Sequence, residues 1–162
     1  MAVLWNPATP GNALGLKEAE IAARRLGVEL ERVEARSPGD FDGAFAAMTR
    51  KRAGSLLILG DVLFTTYRAR LADLAAQNRL PALYGDRQFV EAGGLASYGA
   101  NILSNFYRAA TYVDKILKGE KPGALPIERP IKFALVINPK TAKALGLTIP
   151  QSLLLRADEV IK

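Results

Sequence analysis

Ser55-Leu56-Leu57-Ile58-Leu59-Gly60-Asp61 decides the fold. Successive side chains of a strand point to opposite faces. The unbroken apolar run 56–59 therefore predicts a strand covered on both sides, as in a parallel sheet. Working upstream, Ser37-Pro38-Gly39-Asp40 reads as a helix start, with Ser37 as N-cap, Pro38 in the first turn and Asp40 supplying negative charge. The helix carries Phe41, Ala44, Phe45 and Met48 and ends near Gly54. Val28 to Val33 alternates apolar and polar residues, a strand pattern. Ahead of it, Leu16, Ala19, Ala23 and Leu26 recur at helical spacing over about 12–26, and Gly27 ends that helix. Val3-Leu4-Trp5 reads as a strand stopped by Asn6-Pro7. Downstream, Tyr67, Leu71 and Leu74 mark a helix to about Asn78, and Leu80 to Tyr84 is a strand closed by Gly85. Such alternation predicts right-handed βαβ units and a parallel sheet flanked by helices on both faces, an α/β fold.

The second half is less regular. Phe89 to Ala92 predicts a short helix before Gly93-Gly94, and Leu95 to Tyr98 a short strand. A helix is expected over Ser104–Lys118, with Phe106, Ala109, Ala110, Val113, Ile116 and Leu117 as its apolar stripe. Residues 119–130, rich in Pro and Gly, read as an extended crossing segment. Lys132 to Ile137 predicts a strand, Asn138-Pro139 caps a short helix ending at Leu145-Gly146, and 153–161 forms a short terminal element.

Composition removes several function classes. The chain has 162 residues and neither histidine nor cysteine. That eliminates the commonest general base, the base of nearly every Ser or Cys triad, and every thiolate. No metal site and no cofactor are expected. The net charge is +6, but the cations are scattered, so a solvated basic surface is expected rather than nucleic-acid binding. No apolar run approaches the ~20 residues that span a bilayer. Met1-Ala2-Val3-Leu4-Trp5 lacks the basic start of an export signal, so a soluble chain without a signal is expected.

Ligands of open parallel sheets bind outside the carboxyl ends of the strands. Those ends deliver Trp5, Asn6 and Pro7; Asp61 to Phe64; Tyr84 to Arg87; and Tyr98, Gly99 and Asn101. Aromatic groups with a few orienting polar ones have the character of a small-molecule pocket. Tyr84 or Phe64 would stack an aromatic ligand. Asp61 would pair a ligand ammonium, and the helix N-termini after the first and third strands would hold a carboxylate. Plainer roles stand beside these: Asp61 as a helix cap, Asn6 as a turn former, Trp5 and Phe64 as core. Gly11-Asn12-Ala13-Leu14-Gly15 lacks the dinucleotide-binding spacing, and neither a Walker lysine pattern nor a Gly-x-Ser-x-Gly elbow is present. Asp61 lacks the second aspartate of aspartyl phosphatases, since Leu63 stands two residues on.

The segments Val3-Leu4-Trp5-Asn6-Pro7, Gly60-Asp61-Val62-Leu63-Phe64, Tyr84-Gly85 and 89–99 resemble one family in order and spacing. So do Ala110 to Gly119 and Asn138 to Leu147. The family is the ABC-transporter substrate-binding proteins of the tryptophan/tyrosine-transporter type, with the type I periplasmic-binding-protein fold. Its members are about twice this length and have two α/β lobes, so the chain resembles the C-terminal half only, without the first lobe's sheet or an export signal. The resemblance implies that 1–86 and 131–162 form the second lobe. Residues 87–130 would belong to the first lobe and the crossover. It places the ligand positions at Asn6, Asp61, Phe64, Tyr84, Gly85 and Tyr98. It implies a solute-binding component or fragment of an importer, without enzymatic activity, that binds a small molecule such as an aromatic amino acid. Its partner would be an ABC permease where a full-length context exists. Its place would be periplasmic, or cytoplasmic for a natural short reading frame. A ligand-sensing regulatory domain of the same fold and an Asp61-dependent hydrolase are the alternatives. The Ser104–Lys118 stripe has no first-lobe sheet to cover here. It is expected to be buried in a homodimer or to fold back on the lobe's own sheet.

Overall fold

The computed structural model of the protein describes residues 1–128 and 132–161. The strands β1 (Ala2–Trp5), β2 (Glu31–Glu34), β3 (Leu56–Ile58), β4 (Ala82–Tyr84), β5 (Ala96–Ala100), β6 (Phe133–Ile137) and β7 (Glu159–Val160) form one sheet. Its order is β2-β1-β3-β4-β5-β6-β7. Neighbours are parallel except β5 and β6, so the sheet is mixed rather than wholly parallel. The pairing of Ala100 with Phe133 gives the reason. The chain re-enters the sheet at the end where β5 left it, so β6 must run the other way.

The helices are α1 (Pro10–Arg25), α2 (Phe41–Arg50), α3 (Val62–Thr66), α4 (Arg68–Gln77), α5 (Arg87–Glu91), α6 (Ile102–Leu117), α7 (Pro139–Ala144) and α8 (Gln151–Leu154). One core dominates. Phe41, Phe45 and Met48 of α2, Leu71 and Ala75 of α4, and Phe89 of α5 bury against Leu4, Leu56, Ile58, Ala82 and Tyr84 of the sheet. Burial of each large side chain contributes about 1.5–3 kcal/mol, and Phe41 meets both Phe64 and Tyr67 edge to face. On the other face α1 lies against β1 through buried Leu16 and Ala23. That face is only partly covered, since Leu83 of β4 is exposed and Leu57 half-buried. The double covering expected from the apolar run therefore holds fully on one side only.

Three local differences have physical causes. The strand expected from Val28 begins at Glu31, because the Val28 N–H is spent on the Ala23 carbonyl in the turn that closes α1. Asp61 starts a short extra helix, α3, that no apolar period announces. The terminal element divides into α8 and β7, with Asp158 accepting from the Leu135 N–H at the junction.

Residues 96–100, placed in the other lobe by the resemblance, are a strand of this sheet: Tyr84 pairs with Ser97 and Tyr98 with Leu135. α6 leaves the sheet. Its stripe does not fold back on it: Phe106 is 69% exposed, Val113 55% and Leu117 81%. Its other side holds the segment that follows, through the Arg108–Glu128 ion pair and a 2.7 Å bond from the Tyr112 hydroxyl to the Pro126 carbonyl. The expected boundary at residues 130 and 131 lies outside the described residues.

Candidate functional site

The carboxyl ends of β1 and β3 are adjacent, and a buried polar network joins them. Thr9 Oγ1 donates to Asp61 Oδ2 at 2.6 Å, and Asn6 Nδ2 to Asp61 Oδ1 at 3.4 Å. The Leu63 N–H donates to Asp61 Oδ1 at 2.8 Å, which caps α3. Asn12 completes the unit, accepting from the Asn6 N–H at 3.2 Å and donating to the Gly60 carbonyl at 2.9 Å. A buried carboxylate needs such donors, and here three of them occupy it. Asp61 is thus a cap and a tie between two strand ends, with its oxygens engaged by the protein. Asn6 also receives the Ala8 N–H at 3.0 Å and shapes the turn after β1.

Phe64 lies in the core against Phe41, and Tyr84 is 1% exposed and stacked on Phe89 at 4.5 Å between ring centroids. Neither ring presents an open face, because α3 and α5 draw these positions into the layer beneath the edge. The Tyr84 hydroxyl is buried without a hydrogen-bond partner, and burial pushes its pKa above the ordinary phenol range. The Trp5 indole N–H, at the end of β1, is likewise unpartnered.

Gly85 and Tyr98 remain accessible. Because Ser97 pairs with Tyr84, strand alternation sends Tyr98 to the opposite face of the sheet. There it is 56% exposed and stacks on Phe133 at 5.7 Å. Of the six expected positions the structure thus joins Asn6 with Asp61 directly. It buries Phe64 and Tyr84 behind the edge and leaves Gly85 and Tyr98 at the surface.

Residue reading overlooked Thr9, Asn12 and Phe133. Polar Asn12 in the first turn of an apolar-striped helix was the available signal for the network. Thr9 directs its hydroxyl to Asp61 and gives α1 no side-chain cap. α1 opens with Pro10, which has no N–H, and the Asn12 N–H donates to the Thr9 carbonyl at 2.9 Å, so the N–H left over in this first turn is that of exposed Gly11. This end of α1 attracts negative charge.

A groove of about 1100 Å³ lies elsewhere, between α6 and residues 122–128, lined by Arg108, Tyr112, Ile116 and Leu125 among others. One helix and one extended segment wall it, so it is open to solvent along its length. None of the expected ligand positions lines it. Among the described residues no group of three His, Cys, Asp or Glu side chains is placed to hold a metal, and no helix is long and apolar enough to cross a membrane.

Comparison with known proteins bears on this edge. The family model described as ABC transporter substrate binding protein matches residues 1–161. A conserved domain protein from Vibrio cholerae is similar over 99% of this chain, with 30% identity and a TM-score of 0.88. An ABC domain from Streptococcus pneumoniae, solved in complex with L-Trp, is similar over 99%, with 24% identity and a TM-score of 0.91. The ligand-free, open form of a substrate binding protein with adhesive properties from Clostridium difficile is similar over 99%, with 20% identity and a TM-score of 0.72. The chain spans 54%, 54% and 53% of these structures, about half of each. No curated protein sequence matches.

Proposed function

Since the chain belongs to the ABC transporter substrate binding protein family, we propose that it forms a lobe that captures an amino acid, an aromatic one foremost, for an importer. The observation that carries this reading is the uncapped N-terminus of α1, held at the carboxyl edge by the Thr9–Asp61 bond. Its free N–H, that of Gly11, would receive the ligand carboxylate, with the positive end of the helix dipole behind it. Gly85 and Tyr98 would touch the ligand, Tyr98 through its exposed ring. Asn6 and Asp61 would set the shape of the edge, with Phe64 and Tyr84 behind it. The L-Trp held by the Streptococcus pneumoniae protein supports the aromatic class.

The partner in this reading is an ABC permease, the place of work lies outside the cytoplasmic membrane, and the role is binding without chemistry. Residues 1–100 and 133–161, which share one sheet, would form one lobe, with α6 and the segment after it reaching towards the other. The departure of α6 from the sheet supports that reach. A single lobe covers one side of a ligand, so binding would be weak without its counterpart.

Calorimetric titration with the protein amino acids, L-Trp first, tests the proposal. Gly11→Glu puts a carboxylate at the α1 N-terminus, where there is room for its Cβ and where the charge suits the helix. Binding of an amino acid by the parent, lost in Gly11→Glu, is the expected result. No heat with any amino acid, or equal affinity in the variant, overturns it.

A further inference from the structure

The edge opposite the candidate ligand site is basic. Parallel strands place the C-termini of α1, α2 and α4 together at the amino edge of the sheet. Arg24 and Arg25 end α1, Arg50, Lys51 and Arg52 end α2, and Arg79 follows α4. Two contacts fix the ends of α2 and α4, with α1 ending at the same edge on the other face: the Thr49 hydroxyl donates to the Asn78 side-chain oxygen at 3.1 Å, and Lys51 pairs with Glu31 of β2. All six cations are exposed. Of these six, Lys51 alone is ion-paired within the described residues.

Backbone conformation makes the arrangement more pointed. Each of the three helices is followed by a residue in the left-handed region, Gly27 with φ 65° after α1, Arg52 with φ 53° after α2, and Arg79 with φ 52° after α4. Glycine adopts that conformation freely, and a side chain is disfavoured there. At α1 the fold uses glycine. At α2 and α4 it carries arginine in the same conformation, and both guanidinium groups are thereby added to one edge. The turn beside them has a different character: Leu26 is 76% exposed between Arg25 and Gly27, and Val28 is also exposed.

We propose that this amino edge docks on a bilayer surface rich in anionic phospholipid, with the arginines against the headgroups and Leu26 entering the interface. Cations along an edge that also carries an exposed aliphatic turn match the layered chemistry of such a surface. A nucleic acid is favoured less, because these edge residues include no aromatic ring for base stacking and no element shaped to enter a groove. Docked this way, the candidate ligand edge faces away from the bilayer. The assignment does not depend on what that edge binds.

Vesicle co-sedimentation tests it, comparing pure phosphatidylcholine with mixtures containing phosphatidylglycerol at low and high salt. The parent is expected to partition onto the anionic vesicles at low salt and to be released at high salt. Each arginine near such a surface contributes about fivefold to partitioning, so Arg52→Gly/Arg79→Gly is expected to weaken it roughly 25-fold. Because glycine suits both positions, this variant is expected to fold at least as stably as the parent, which a thermal melt checks. Arg36→Gln/Arg70→Gln removes the same charge from the opposite edge and is expected to leave partitioning within about twofold of the parent. Leu26→Ser is expected to weaken vesicle binding and to leave any binding of random duplex DNA unchanged. Equal partitioning onto neutral and anionic vesicles overturns the proposal. So does full retention in Arg52→Gly/Arg79→Gly, an equal loss in Arg36→Gln/Arg70→Gln, or an unchanged Leu26→Ser, the last marking a general polyanion surface.

Discussion

The carbonyl oxygen of Gly85 occupies the place where a side chain at Gly99 would begin. A Cβ built on Gly99 stands 1.9 Å from that oxygen and 2.8 Å from its carbon. β5 is thus drawn against the end of β4 so closely that only glycine fits, and Gly85 is one of the exposed positions of the candidate site.

Gly99→Ala is therefore expected to push β5 away from Gly85 and to destabilise the protein by about 1–3 kcal/mol, the usual range for overpacking. Urea denaturation reads the loss. The same substitution at Gly60, where a Cβ meets nothing within 4 Å, is the contrasting control and is expected to change stability little. Equal stability of Gly99→Ala and the parent would show that the two strands approach less closely than described.

Asp61 accepts from Asn6, Thr9 and the Leu63 N–H, and its removal leaves buried donors without a partner. Asp61→Ala is expected to cost about 2 kcal/mol or more, combining a lost cap with unsatisfied buried groups. Thr9→Val removes one of those bonds and is expected to cost about 1 kcal/mol. In a double-mutant cycle the two losses would fall short of additivity, since they share a bond. Strict additivity would argue that Thr9 and Asp61 do not interact.

The unpartnered hydroxyl of Tyr84 carries a penalty that phenylalanine would not. Tyr84→Phe is expected to raise stability by roughly 1 kcal/mol. Its pH signature is separate. Burial raises the phenol pKa above the ordinary 10.0, so above that pH the unfolded chain loses a proton that the folded protein keeps. Stability should then fall with rising pH, by at most about 1.4 kcal/mol per unit from this group. Tyr84→Phe should lose that component of the alkaline slope. Identical alkaline slopes in parent and variant would refute the burial of this hydroxyl.

The stripe of α6 is left uncovered, with Phe106 69% and Leu117 81% exposed, and the homodimer expected from the sequence would bury it. Native mass spectrometry is expected to give a dimer, and Phe106→Ser/Leu117→Ser a monomer with its fold intact, because neither side chain is part of the core. A monomeric parent removes the homodimer.

Local signals carried much of this far. The run Leu56 to Leu59, the cap-like Ser37 to Asp40 and the helical period through Leu16 and Ala23 depend on near neighbours, and β1, α1, α2, β3, α4 and β4 follow them within a few residues. Asp61 after an apolar run could be read as a cap because capping is local chemistry. The direction of β6 was not legible in this way, since it depends on where the chain returns after α6. Nor was the burial of Tyr84 beneath the edge while Tyr98 faces outward, because strand alternation sorts side chains only once register is known, and register is a long-range property.

By itself, the sequence determined an α/β chain without histidine or cysteine chemistry and the order of its main elements, since composition and periodicity are properties of the chain alone. Tertiary structure alone decided that the Thr9 hydroxyl donates a hydrogen bond to Asp61, 52 residues away, at one strand edge. It also decided that arginines from three helix ends meet at the other. Such contacts arise only when parallel strands bring distant helix termini to a common edge.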